Sequence, residues 1–178
     1  MDALTQVLSQ RPGDHEAFDY HRDYIAKVPD GNILTMMEAQ AETIDAFIRG
    51  IPADQFQVIH EPYGWSIQTV LEHCCDAERV FGYRILRFAA GDQTDLPGWD
   101  QDIYATENYG PNTTLDELAD EYAALRKGNL CILKRLTPDA FERMGTADGR
   151  KVSVRTLAWL MAGHWNHHEE ILRKRLGM

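Results

Sequence analysis

Three of the seven histidines in this 178-residue chain fall within five positions, in Gly163-His164-Trp165-Asn166-His167-His168. Imidazole nitrogen is a ligand for zinc, nickel, copper and iron, so a histidine cluster first raises metal binding. Residues four apart lie one above the other on a helix. With His164 at zero, His168 falls at about +40°, Leu157 at about +20° and Met161 at about +60°, while His167 falls at about −60°. His164 and His168 therefore share the apolar stripe, and His167 sits toward its edge as a surface or outer residue. A third ligand must come from elsewhere, and His73 is the best candidate because it also sits on a helix. His15, His21 and His60 lie in segments read as irregular and are weaker alternatives. The zinc-protease pattern is absent, since the position after His164 is Trp165 rather than glutamate.

The elements that must position these residues can be read from periodicity. A first long helix is expected from about Asn32 to Arg49, with Ile33, Met36, Met37, Gln40, Ile44, Phe47 and Ile48 recurring at steps of three and four. Ser66 reads as the N-cap of a second helix reaching about Ala90. His73 lies on the flank of its inner face, on one row with Val80 and Arg84. Thr114 and Glu117 match a capping box opening a third helix to about Leu136. Ser153 can cap a fourth, ending near Leu176 before Gly177. Residues 1–31 read as an arm with short helical pieces that packs on the body through Phe18, Tyr20, Tyr24, Ile25 and Val28.

Residues 91–112 form a connection too long to be a simple loop. Leu96, Trp99, Ile103, Tyr104 and Tyr109 argue that it is ordered, as a pocket wall, a lid or a surface strap. Asp148-Gly149-Arg150 has the composition of a tight turn, and no strand is expected around it. The expected fold is all-α: one domain over residues 1–178, an antiparallel four-helix bundle with a long crossover between helices two and three.

Composition narrows the function. The net charge of −10 leaves no basic excess for a phosphate backbone, so no nucleic-acid partner is expected. No apolar run approaches the roughly 20 residues that span a bilayer, and the first residues do not read as a signal peptide. A cytoplasmic location with no membrane partner is the expectation. Cys74, Cys75 and Cys131 do not make a disulfide framework, and the first two read as small packing residues.

Beside these readings, three stretches resemble the DinB superfamily of metal-dependent four-helix-bundle proteins. They are Trp65-Ser66-Ile67-Gln68-Thr69-Val70-Leu71-Glu72-His73, Asp76-Ala77-Glu78-Arg79, and the Gly163–His168 segment. Leu96-Pro97-Gly98-Trp99-Asp100 is similar to a linker in one branch of it. The resemblance implies that His73, His164 and His168 hold a divalent transition metal, zinc or nickel. It implies a homodimer, and either a low-molecular-weight thiol as co-substrate or an unknown reaction. The expected function is a metal-dependent enzyme on a small-molecule substrate, first a thiol S-transferase. The alternatives are a hydrolase and a non-catalytic, stress-linked metal-binding or dimerisation module. No catalytic residue beyond the ligands is assigned. Trp65, Trp99 and Tyr104 are candidate pocket walls. Arg84 is read as a surface salt-bridge residue, with steering of an anionic substrate as the alternative.

Overall fold

The computed structural model describes residues 2–106 and 113–178. Tyr109 of the long connection lies outside them. Four long helices carry the molecule: α3 (Ile33–Arg49), α4 (Ile67–Ala89), α6 (Leu115–Leu133) and α8 (Val154–Leu176). The short helices are α1 (Ala3–Ser9) and α2 (Asp19–Ile25) in the arm, α5 (Gln101–Thr106) in the crossover, and α7 (Pro138–Glu142).

The expected caps form. Asn32 accepts from the Leu34 and Thr35 amides, Ser66 from Thr69, and Ser153 from Thr156. Thr114 and Glu117 complete a capping box on α6. These side chains satisfy amide donors that the first turn leaves without a partner.

Cross-helix contacts set the directions of the bundle. Arg49 pairs with Asp116 and Asp120, and Lys134 with Glu38, so α3 and α6 are antiparallel. Trp65 meets Arg175 and His73 meets His164, so α4 and α8 are antiparallel. Arg79 pairs with Glu121, and Asn129 reaches Glu78 and packs at Gly82, so α4 and α6 run parallel. The crossover carries the chain back along α4, which rises roughly 34 Å over its length. That return explains why the link is long.

A hairpin precedes α8, where no strand was expected. Strands β1 (Met144–Ala147) and β2 (Arg150–Ser153) pair antiparallel, with Ala147 opposite Arg150. The two-residue loop between them has Asp148 at φ 56° and Gly149 at φ 68°. Two left-handed residues are what a tight hairpin needs, and Asp-Gly supplies them. The strands are too short for alternation to show in sequence. The turn itself was legible.

Two apolar clusters fill the interior. One gathers Ile33, Met37, Phe81, Ile85, Leu133 and Trp159. The other gathers Ile44, Phe47, Ile67, Leu71, Tyr122 and Trp165. A buried polar layer lies where they meet. Arg126 donates to Glu78 Oε1 (2.7 and 3.1 Å) and to Gln40 Oε1 (2.5 Å), and Asn129 donates to Glu78 Oε2 (2.8 Å). Gln40 in turn donates to the Ala162 carbonyl (3.0 Å) and to Asn166 (2.6 Å). Burial is the largest effect on the Arg126 charge and opposes it, but Glu78 and Tyr122 together outweigh it and hold the guanidinium pKa above its ordinary value. The layer joins all four long helices and fixes the phase of α8 next to His164. Gln40, read from sequence as part of an apolar stripe, is a member of it.

Candidate metal centre

His73 projects from α4, and His164 and His168 from successive turns of α8. His73 Nε2 lies 3.0 Å from His164 Nε2, and His168 Nε2 lies 3.1 Å from His164 Nε2. The three ligand atoms are all within 4.8 Å of one another. His73 and His164 are buried and His168 is partly so. His167 stands apart, with its ring edge against Tyr24 and His168.

A neutral imidazole nitrogen carries either one proton or one lone pair. His164 Nε2 can therefore satisfy only one of its two close neighbours by an ordinary hydrogen bond. A cation between the three nitrogens would accept all three lone pairs at once. Zinc–nitrogen bonds of about 2.0–2.1 Å in a tetrahedral site place nitrogens about 3.3 Å apart, within a few tenths of the two separations from His164. The donor set fits a divalent transition metal.

The protonation states agree. Burial is the largest effect on all three rings and pushes each pKa down. His73 falls to about 4 and His164 and His168 fall well below the usual value, with neighbouring histidines adding to the effect. Neutral imidazole is the ligating form. The Nδ1 atoms of His73 and His168 have no hydrogen-bond partner among the described residues, so no acceptor there orients those rings. Aromatic contacts orient His73 instead. Trp99 stacks on it at 5.5 Å and 9°, and Trp65 tilts against it at 5.1 Å.

A cavity of about 160 Å³ opens beside His73 and His164. Of the candidate pocket walls Trp99 lines it and Trp65 and Tyr104 do not, while Arg84, read first as a surface residue, does. Tyr104 is exposed and meets the Trp99 ring edge-on, with centroids 5.4 Å apart. Ile103 is exposed too, so α5 lies outside the core while Leu96 is buried. The strap around Trp99 is held to the hairpin, where Leu96 donates to Thr146 (3.0 Å) and Asp148 donates to Leu96 (2.9 Å).

Arg84 is not a surface salt-bridge residue. It is 9% exposed and no carboxylate of the described residues lies within 4.0 Å of it. Among the described residues its only hydrogen bond is a long one to the Pro97 carbonyl (3.4 Å). Burial lowers its pKa.

The arm supplies the part of the cavity that sequence reasoning missed. Phe18, Tyr20, His21 and Tyr24 all line it. His21 is on α2, not in an irregular segment, and is buried; its pKa is pushed down to about 4, by burial first and then by Arg84 and Arg150. It is not part of the three-histidine cluster, nor is His15 or His60. Two contacts seat the arm. Glu16 pairs with Arg155 (2.6 Å) and accepts from Ser153 (2.7 Å), all buried. Gly163 lets α2 approach so closely that a Cβ there would stand 2.1 Å from the Tyr24 carbonyl oxygen. Phe18 and Tyr24 were legible as apolar anchors, but nothing local showed which face of the bundle they cover.

Comparison with known proteins supports the same picture. No curated protein matches this chain. Among solved structures, YfiT from Bacillus subtilis superimposes with a TM-score of 0.65 over 99% of both chains at 15% identity. That protein is described as a probable metal-dependent hydrolase with an unusual four-helix bundle topology; at this identity the likeness establishes the fold. No described helix is long and apolar enough to cross a membrane. The family model of the DinB superfamily matches residues 36–172, a span that contains all four long helices but for the ends of the first and last, and all three clustered histidines. With most of the chain matched and the bundle in place, this protein belongs to the DinB superfamily.

Proposed function

We propose that the chain is a divalent-metal-dependent enzyme that transfers a small thiol onto a small electrophile, with His73, His164 and His168 as the ligands. The observation that carries this reading is the convergence of three Nε2 atoms at the wall of a cavity. Three protein ligands leave a coordination position open, and a bound metal would lower the pKa of a thiol or water held there. Zinc and nickel both suit the nitrogen donors.

The residues around the cluster favour thiol transfer. Among the described residues the only carboxylate lining the cavity is Asp148, exposed at the hairpin turn, so no buried acid is placed to shuttle protons for hydrolysis. The chain's own thiols are unsuited as nucleophiles in the cavity. Cys74 and Cys75 are buried, and burial pushes their pKa values up, while Cys131 is exposed on α6. A thiol would therefore come from a small molecule. Trp99, Phe81 and Leu160 give the cavity apolar walls that exclude water and suit an electrophile with an apolar body.

The test is thiol consumption with an aryl halide by zinc- or nickel-loaded protein, across a panel of low-molecular-weight thiols. Metal-dependent turnover that vanishes in His164→Ala is the expected result. No metal-dependent consumption with any thiol would sink the reading. The second reading, hydrolysis, rests on the likeness to YfiT. Ester and amide panels under the same loading separate the two.

A further inference from the structure

Arg84 is a buried guanidinium with no carboxylate within 4.0 Å among the described residues; the exposed Asp148 acts on it only from farther off. An unpaired charge in a protein interior is costly, and natural interiors neutralise it with a carboxylate or leave it facing a ligand. Other buried arginines here follow the first course: Arg126 pairs with Glu78 at 2.7 Å and Arg155 with Glu16 at 2.6 Å. Among the described residues, Arg84 alone of the three has a backbone carbonyl as its only hydrogen-bond partner, and its side chain lines the cavity beside His73 and His164. Arg150, at the hairpin turn, adds a second positive charge at the same cavity. In a chain of net charge −10, the cavity beside His73 and His164 thus gathers two arginines against one carboxylate, the exposed Asp148.

We propose that Arg84 is the substrate-anion residue of this cavity, and that the substrate is a small organic oxyanion, a carboxylate or phosphate, with an apolar body. This inference rests on reading the cavity as the substrate site. Guanidinium presents parallel N–H donors that match two oxygens of either anion. Arg84 stands eleven residues after His73 on α4, which is three turns and the same face, a rise of roughly 16 Å. Helical side chains lean toward the N-terminus, so the arginine leans toward the histidines. The anionic group would bind at the Arg84 end and the reacting group at the histidine end. The aromatic and aliphatic walls between them would hold the body.

The test uses chelator-treated full-length protein, so that no anion can bind through a metal. Titration calorimetry with benzoate, phenyl phosphate and the neutral analogue benzamide compares wild type with Arg84→Gln and Arg84→Lys. At least one anion should bind wild type about tenfold or more tightly than benzamide, as expected for charge-assisted hydrogen bonds. The two anions distinguish a carboxylate from a phosphate preference. Arg84→Gln should abolish the preference and Arg84→Lys should keep part of it, with zinc uptake unchanged in both. No anion preference in wild type, or a preference that survives Arg84→Gln, overturns the proposal. Because the readout needs neither metal nor turnover, failure of the thiol-transfer reading leaves this result interpretable.

Discussion

His164 is the residue on which the candidate site depends, because its Nε2 faces both of its partners. Its replacement by alanine removes the central ligand. Zinc affinity, measured by competition with a chromogenic chelator, should fall by more than the roughly 10–100-fold typical of losing an outer hydrogen-bond partner. His167→Ala should fall below that range, since its ring lies outside the cluster. Equal losses in the two variants would contradict the assignment. Arg84 carries a different expectation. If its charge is kept for a ligand rather than for the fold, Arg84→Met should leave the protein as stable or more stable, by ~1 kcal/mol, in a urea melt. A large destabilisation would mark the arginine as structural. Helical phase selected His164 over His167 from sequence. It could not show that Arg84 has no described acid within 4 Å, because ion pairing depends on what other elements bring that close.

At the scale of elements, the arm is the piece that completes the cavity, and α2 is seated on α8 at Gly163. Gly163→Ala would push a methyl group into the Tyr24 carbonyl, which is backbone and cannot rotate away. The expected cost is about 1–3 kcal/mol, as for other overpacked sites. Limited proteolysis should then cut the arm faster than in wild type. An unchanged melt and digestion would mean that α2 is not held where it lies. The periodicity and capping residues placed the starts of α3, α4, α6 and α8 to within a residue, and their ends too except that of α6, which stops at Leu133 rather than Leu136, because amphipathic spacing and N-caps are local signals. The hairpin strands are not legible in the sequence for the opposite reason. Four-residue strands carry almost no period, and their stability comes from packing under the strap at Leu96.

The whole molecule combines these pieces into a pH dependence. Burial holds the folded-state pKa of His21 at about 4, below the 6.5 of an ordinary histidine. The unfolded chain therefore binds a proton more readily than the folded one. The contribution of neutral His21 is fully present above pH 6.5 and is lost as pH falls toward 4. A shift of this size corresponds to about 3 kcal/mol at most. Urea melts of chelator-treated protein should lose stability from pH 7 to pH 4.5, and His21→Phe should flatten that slope. A slope unaffected by the substitution would assign the acid sensitivity to the clustered histidines or to carboxylates such as Glu16.

The sequence alone determined what local physics controls: four amphipathic helices, their caps, the Asp-Gly turn, and which two histidines of α8 share a face. It also held the short stretches that resemble the DinB superfamily. Only the tertiary structure decided the rest. The parallel run of α4 and α6, the polar layer of Gln40, Glu78 and Arg126 between two apolar clusters, the arm as a cavity wall, and the burial of Arg84 away from any close described carboxylate each depend on residues far apart in the chain. Periodicity reports which face of a helix is buried, but not which neighbour buries it. The meeting of His73 with His164, 91 residues later, could be expected from sequence; the cavity beside them could not.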